Sequence, residues 1–220
     1  KSCPFLLTSA HIRRLVEHFE RRGEKWFLVL VLVGWNFLLR MASEGFPLEK
    51  GAQEERDNLP EGRHSAVWVD GNFTTHIRLA RRKNRPKGSY MQRKCSCANT
   101  GKRLCVGHRL QECIAHMPPG EKIFAAVQPH VMKAEIRKVL GQTEPKAREF
   151  GFKGFRAGHA TEMAKLGRSL AEILLAGEWS SRAFLRYVDV NQLEGGEFLE
   201  VTLAQSDDEE TTPSKKVAKD

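Results

Sequence analysis

An apolar segment at residues 26–39 is the feature that most constrains how this chain can fold. Its Trp, Phe, Leu and Val side chains are interrupted only by Gly34 and Asn36. The segment is about 14 residues long, whereas a membrane-spanning helix needs roughly 20. It therefore predicts a helix that is buried on all sides in a globular core, and we expect no membrane partner.

Helix signals extend through the rest of the chain. Thr8 or Ser9 can cap a first helix that runs to about Arg22, and the apolar segment belongs to a second helix at about residues 24–39. Pro129 suits the first turn of a later helix. That helix ends near residue 141, and shorter helices are expected at residues 154–166, 169–176 and 180–188.

A small antiparallel sheet is predicted in the middle of the chain. Asp70-Gly71 separates two β-rich segments and is typical of a type I′ hairpin turn, because Asp-Gly tolerates positive φ angles. The segments are residues 67–69 and 73–79, and a third strand is expected at residues 89–93. The sequence thus indicates a mostly helical α+β fold, with a very basic loop at residues 81–88.

The charge of the chain points to a polyanionic partner. Lys and Arg total 36 against 27 Asp and Glu, which gives a net charge of +9 and a pI near 9.5. Nucleic acid and an anionic membrane surface both fit this excess. Four of the acids lie together at residues 207–210, so the preceding sequence is more basic than the total suggests.

Composition also divides the chain. Residues 1–203 predict one domain, in which residues 95–119 form a Cys/His-rich insertion without clear periodicity. The polar residues 204–220 predict a disordered charged tail. Five cysteines without a secretory signal at the start favour a reduced, intracellular setting.

The insertion contains a candidate metal site. Four residues can act as soft or borderline ligands: Cys95, Cys97, Cys105 and His108. Paired spacings of this kind suit a structural zinc ion, which requires four tetrahedral S/N ligands. Cys113 and His116 form a further Cys-x-x-His pair. The alternative is a set of free, partly buried thiols, and a metal here would not perform catalysis.

Chemically suggestive motifs occur near the end of the helical region. Lys153 precedes Arg156 by three residues, and an Ala-Thr pair follows at 160–161. A Gly177-Glu178-Trp179 turn comes next, and Tyr187 lies ten residues after its glycine.

Upstream motifs complete the pattern. Arg40 follows the apolar helix and precedes Ser43-Glu44, and the basic loop at residues 81–88 contains Lys83. In this order the motifs resemble those of the tyrosine recombinase (phage integrase) family, particularly its eukaryotic mobile-element members. The resemblance covers most of residues 8–190. It differs in having Lys153 where the family has His, one extra residue between Arg40 and Glu44, and Glu178 between the glycine and Trp179.

The resemblance implies an enzyme that breaks and rejoins DNA strands through a 3′-phosphotyrosyl intermediate, with no cofactor required for catalysis. Tyr187 would attack the phosphorus, and Lys83 would protonate the leaving 5′ oxygen. The remaining roles are contacts to phosphate oxygens, made by Arg40, Lys153, Arg156 and Trp179. Two or four protomers would assemble on duplex DNA, and we expect a nuclear protein if the source is eukaryotic.

Other interpretations of the same residues stay open. Arg40 can be a helix-end cation, Trp179 can serve packing alone, and Arg82, Arg85 and Lys87 compete with Lys83 for the role of acid. The chain as a whole can instead be an inactive, domesticated DNA-binding domain, or act like a type IB topoisomerase.

Overall fold

The computed structural model describes residues 5–52, 64–82 and 87–179. Within these ranges the protein is α+β and mostly helical, which confirms the expected fold class. Its helices are α1 (Ser9–Arg21), α2 (Lys25–Asn36), α3 (Cys97–Thr100), α4 (Val106–Ile114), α5 (Pro129–Gly141), α6 (Lys153–Lys165) and α7 (Leu170–Gly177). The helix expected at residues 180–188, the domain boundary at residue 203 and the tail lie outside the described residues.

The first two helices form where their sequences predict, although α2 ends at Asn36 and not at the expected Leu39. The Thr8 hydroxyl accepts the His11 main-chain N–H, and His11 Nδ1 accepts the Thr8 N–H in return, so the start of α1 is capped from both sides. One face of α1 is buried, and α2 is buried over residues 28–35 without interruption. No helix among the described residues is long and apolar enough to span a membrane.

A π-helical turn, Met41–Gly45, follows α2. The Phe46 N–H donates to the Met41 carbonyl at 2.9 Å, one residue further back than in an α-helix. A π turn accommodates one more residue than an α turn. The turn buries Glu44, and it places both Arg40 and Glu44 at the end of the buried helix α2.

The four-stranded sheet has the order β1-β2-β3-β4. Its strands are β1 (Glu49–Lys50), β2 (Ala66–Val69), β3 (Thr75–Leu79) and β4 (Ser89–Arg93). Val67, Ile77 and Met91 are aligned across the sheet and belong to the core. The strands from β2 to β4 pair antiparallel as expected, but β1 pairs parallel with β2, so the sheet is mixed.

The turn between β2 and β3 differs from the predicted type I′ turn. Gly71 does not have a positive φ angle; Phe73 does, at 56°. The Asp70 carboxylate instead accepts the N–H groups of Asn72 and Thr74, both at 2.9 Å. This side-chain turn competes with the backbone turn that Asp-Gly favours.

The insertion is also more ordered than its sequence suggests. It contains α3, a 3-10 turn (Lys102–Leu104) and α4. α4 buries Val106, Leu110 and Ile114, but it spans only nine residues, which is too few for a clear periodic signal.

The N-terminal segment packs tightly on α6. The Leu7 N–H donates to the Gly154 carbonyl at 3.2 Å, and the segment passes directly over Gly158. A Cβ atom at residue 158 would lie 2.0 Å from the Leu7 carbonyl oxygen. Only glycine permits this approach of two backbones.

The Gly158→Ala variant should therefore unfold more easily than the wild type. The overpacking is expected to lower the free energy of unfolding by about 2 kcal/mol, although alanine favours helix formation. Urea denaturation measures the difference. Gly151→Ala is the control, because no heavy atom lies within 4 Å of the added Cβ. Equal effects of the two substitutions would contradict the packing described.

Candidate functional site

The Glu44 carboxylate contacts arginines from three separate parts of the chain. It is 2% exposed. It accepts the Arg40 main-chain N–H at 2.9 Å and the Arg40 guanidinium at 3.2 Å. Arg82 donates to both of its oxygens, at 3.2 and 3.1 Å, and Arg156 Nη1 lies 3.9 Å from Oε2. We call Arg40, Glu44, Arg82, Arg156 and Glu178 the arginine cluster.

Glu178 is the second carboxylate of the arginine cluster. Its Oε2 lies 2.5 Å from Arg82 Nη1. The neighbouring Gly177 carbonyl accepts hydrogen bonds from Arg156 at 2.7 Å and from Arg82 at 3.4 Å. The turn at the end of α7 is therefore bound to both buried arginines.

Trp179 covers one side of the arginine cluster. The Arg156 guanidinium carbon lies 4.3 Å from the centre of the Trp179 ring, which is cation–π geometry. Trp179 is buried, and its position next to Arg156 agrees with both the packing and the phosphate-contact interpretation.

The predicted site residues fall into two groups. Arg40, Arg156 and Trp179 are far apart in sequence and meet at the arginine cluster. Lys153 is exposed at the first residue of α6, one turn before Arg156. Lys83 and Tyr187 lie outside the described residues.

The sequence suggests Arg82 only as an alternative to Lys83 in the role of acid, and it suggests no role for Glu178. Arg82 lies in a strongly basic stretch, which is ordinarily solvated, yet its side chain is 3% exposed. Its burial follows from the two carboxylates on either side, and neither is near it in sequence. No local sequence pattern predicts that Arg82 is buried between two carboxylates.

Arg93 joins the ends of two helices beside the arginine cluster. It donates to the Asn36 carbonyl at 3.0 Å and to the Ala176 carbonyl at 3.3 Å, at the C-terminal ends of α2 and α7. Helix C-termini carry partial negative charge and favour cations. Burial lowers the pKa of Arg93, Glu178 raises it, and Arg82 lowers it further.

A second candidate site lies in the insertion, where one cluster could hold a metal ion. The Cys95, Cys97, Cys105 and His108 ligand atoms all lie within 4.8 Å of one another. His108 Nδ1 is 3.8, 3.2 and 3.4 Å from the sulfurs of Cys95, Cys97 and Cys105, respectively. The Cys95 and Cys105 sulfurs are 3.7 Å apart. We call these four residues the Cys/His cluster.

The thiols of the Cys/His cluster affect one another's ionisation. Desolvation opposes ionisation of Cys105, but hydrogen bonds from the His108 main chain and ring, among others, lower its pKa to about 6. Desolvation and the sulfurs of Cys95 and Cys105 raise the pKa of Cys97 to about 12. A cation among the three sulfurs would remove this mutual repulsion.

The surroundings of the Cys/His cluster hold it in place. The His108 ring stacks on Phe73 with their centres 3.8 Å apart, so it packs on the β2–β3 turn. Arg103 and Arg109 form ion pairs with Glu20 on α1. Cys113 packs in the core, and within the described ranges neither it nor His116 joins a metal-binding cluster.

No protein-family model matches the sequence, and no curated protein matches it significantly. The geometry defines two sites with different ligand chemistry. The arginine cluster offers positive charge fixed by buried carboxylates, and the Cys/His cluster offers four soft or borderline ligands.

Replacing Glu44 by Gln should strongly destabilise the protein. The substitution keeps the side-chain shape but removes the charge that faces three arginines. We expect the free energy of unfolding to fall by about 3 kcal/mol, as when one partner of a buried ion pair is removed. Chemical denaturation measures this, with exposed Glu149→Gln as the matched control, for which the change should stay within about 0.5 kcal/mol. Similar small losses in both variants would show that Glu44 does not organise the cluster.

Proposed function

We propose that this protein breaks and rejoins DNA strands in the manner of tyrosine recombinases, with Tyr187 as the nucleophile. One observation carries the proposal. Arg40, Arg156 and Trp179, which the motif resemblance assigns to phosphate contact, meet in one cluster although more than a hundred residues separate the first from the others. Arg40 and Arg156 meet at one carboxylate and Trp179 stacks on Arg156, which would be unusual for three residues placed by chance.

The chain positions of the other two groups agree with the proposal. Lys83 follows directly after Arg82, which is a member of the arginine cluster, and Tyr187 lies eight residues after Trp179. Both are therefore attached to segments that begin at the cluster. The proposed acid and nucleophile need to span only a few residues to reach a phosphate bound there.

In the proposed reaction, the Tyr187 hydroxyl releases its proton to solvent as its oxygen attacks the phosphorus, and the bond from phosphorus to the 5′ oxygen breaks. Lys83 gives its proton to that oxygen, and the DNA 3′ end remains linked to Tyr187 as a phosphodiester. Reversal of the same steps rejoins the strand. Arg40, Arg156 and Lys153 stabilise the negative charge that develops on the non-bridging oxygens, and Trp179 donates its indole N–H to one of them.

The charge of the chain supports duplex DNA as the partner. A net charge of +9 favours phosphate contacts, and such binding weakens as salt is added. By the same resemblance, the active form is an assembly of two or four protomers on two DNA sites. In a eukaryotic cell the protein would act in the nucleus.

A second candidate function is DNA binding without cleavage. Arg82 and Arg156 are each only 3% exposed, and both face the Glu44 carboxylate. A cluster neutralised in this way can stabilise a DNA-binding fold without contacting the reacting phosphate. A third possibility, strand cleavage by a monomer as in type IB topoisomerases, would be detected as relaxation of supercoiled plasmid.

The proposed cleavage predicts a covalent adduct. DNA carrying a nick near the cleavage site should become linked to the wild-type protein. Cleavage releases the short piece of strand between the cleavage site and the nick, and its loss prevents rejoining. Tyr187→Phe should form no adduct. Tyr90→Phe is the matched control, since Tyr90 is the only other tyrosine in the chain, and it should form the adduct at the wild-type rate. The adduct is measured by denaturing gel electrophoresis. Salt-sensitive binding with no adduct would favour the non-cleaving alternative.

We also propose that the Cys/His cluster holds a structural zinc ion. Bond lengths of about 2.3 Å to sulfur and 2.0 Å to nitrogen imply tetrahedral edges of roughly 3.8 Å between sulfurs and 3.5 Å between sulfur and nitrogen. In the structure the Cys95 and Cys105 sulfurs are 3.7 Å apart, the three sulfur–nitrogen distances are 3.2–3.8 Å, and all four ligand atoms lie within 4.8 Å of one another. His108 would bind through Nδ1. The ion would hold the insertion together and would take no part in strand cleavage.

Zinc binding should depend on Cys97 and not on Cys113. The wild type should retain one zinc per chain after dialysis, and Cys97→Ser should lose most of it, because a hydroxyl is a poor substitute for a thiolate. Cys113→Ser is the control because Cys113 lies in the core, outside the cluster. Metal content and the absorption spectrum of the cobalt-substituted protein report the result. Full zinc retention by Cys97→Ser would refute the ligand set.

A further inference from the structure

Arg82, the residue before Lys83, is bound by carboxylates from two other parts of the chain. On one side it donates to both oxygens of Glu44, which also binds Arg40. On the other side it contacts the Glu178 carboxylate and the Gly177 carbonyl at the end of α7. In sequence, Lys83 follows it immediately, and the α7 turn leads on towards Tyr187.

The backbone of Glu178 gives an independent sign that this contact matters. Its φ is 50° and its ψ is 48°, in the left-handed region that non-glycine residues rarely adopt. The Trp179 N–H donates to the Leu174 carbonyl and the Glu178 N–H to the Leu175 carbonyl. These bonds form a Schellman motif, and Glu178 occupies the position that glycine normally takes.

A glutamate at this position is therefore unfavourable for the helix end alone. Its carboxylate compensates by reaching Arg82 across the boundary between α7 and the sheet. Residues held in sparsely populated backbone regions cluster at functional sites, and Glu178 is one of three described non-glycine residues with a positive φ.

We propose that Arg82 is a positioning residue for strand cleavage: its ion pairs with Glu44 and Glu178 hold the chain immediately before Lys83 against the turn at the end of α7, after which the sequence continues to Tyr187. This inference rests on the proposed function. Nε, Nη1 and Nη2 of Arg82 all donate to the two carboxylates, so it acts by fixing these segments and does not bind the phosphate.

The function of such a link is geometric. The acid acts on the 5′ oxygen while the nucleophile acts on the opposite side of the phosphorus, so both must be in place in one transition state. Small displacements of either group reduce the rate sharply. DNA affinity depends on many phosphate contacts across the surface and changes little when one internal ion pair is broken.

Glu178→Gly is the decisive variant. Glycine relieves the left-handed strain, so the variant should fold, yet it removes the ion pair with Arg82. Glu178→Gln, which keeps the side-chain length, is the second variant. Exposed Glu149→Gln is the matched control for Glu178→Gln, since both remove one negative charge and raise nonspecific DNA affinity equally.

The experiment measures the single-turnover rate of adduct formation on the nicked DNA, with the protein in excess, together with the dissociation constant for the same DNA. We expect both Glu178 variants to form the Tyr187 adduct at no more than about a tenth of the wild-type rate. Their dissociation constants for the DNA should stay within about twofold of the control. A purely structural role would change the denaturation midpoint but leave the rate of the folded, DNA-bound protein unchanged.

The outcomes separate the two proposals. If the wild type forms no Tyr187-dependent adduct, the proposed function fails, and this inference fails with it. If the wild type forms the adduct and both Glu178 variants form it at the wild-type rate, the function stands and the positioning role of Arg82 is wrong. A matching fall in DNA affinity that accounts for the slower reaction would also overturn the positioning role.

Discussion

The buried carboxylate of Glu44 is the constraint on which the described structure most depends. A charge this deeply buried must be paired, and its partners come from the segments that follow α2 and β3 and from α6. The three elements are therefore fixed relative to one another by one ion-pair network. The π-helical turn Met41–Gly45 allows both the main-chain N–H and the guanidinium of Arg40 to reach the Glu44 carboxylate. It does so although this sequence has one more residue between Arg40 and Glu44 than the recombinase motif that it resembles.

The fold could be predicted wherever a local pattern determines the structure. The apolar stripe of α1, the continuous burial of α2 and the Pro129 start of α5 all follow from composition and periodicity. Short elements could not be predicted. β1 has only two residues, and its existence depends on pairing with β2, which lies more than ten residues away. The type I′ turn failed for a related reason, because the Asp70 side chain provides hydrogen bonds that compete with the backbone turn.

The candidate sites could also be predicted only where their residues belong to a recognisable sequence pattern. The Cys/His cluster could be predicted from spacing, since its four ligands lie within a short stretch of chain. Arg40 and Arg156 could be proposed through a resemblance of motifs. The partners that bury them could not, because Arg82 and Glu178 are identified only by contacts between distant segments. A sequence pattern therefore predicts what a side chain can do more readily than which side chains will surround it.

The charge balance around the arginine cluster would allow its burial to coexist with the phosphate binding that we propose. Four arginines, including Arg93, face two carboxylates, so the pairing leaves an excess of positive charge. Arg40 is the most exposed of those that contact Glu44, at 28%, and is the one that an incoming phosphate would meet first. A phosphodiester carries one negative charge, which this excess can neutralise. Because the guanidiniums are already held by carboxylates and helix-end carbonyls, they need little reorganisation when an anion arrives, which is the condition for effective electrostatic stabilisation of a transition state.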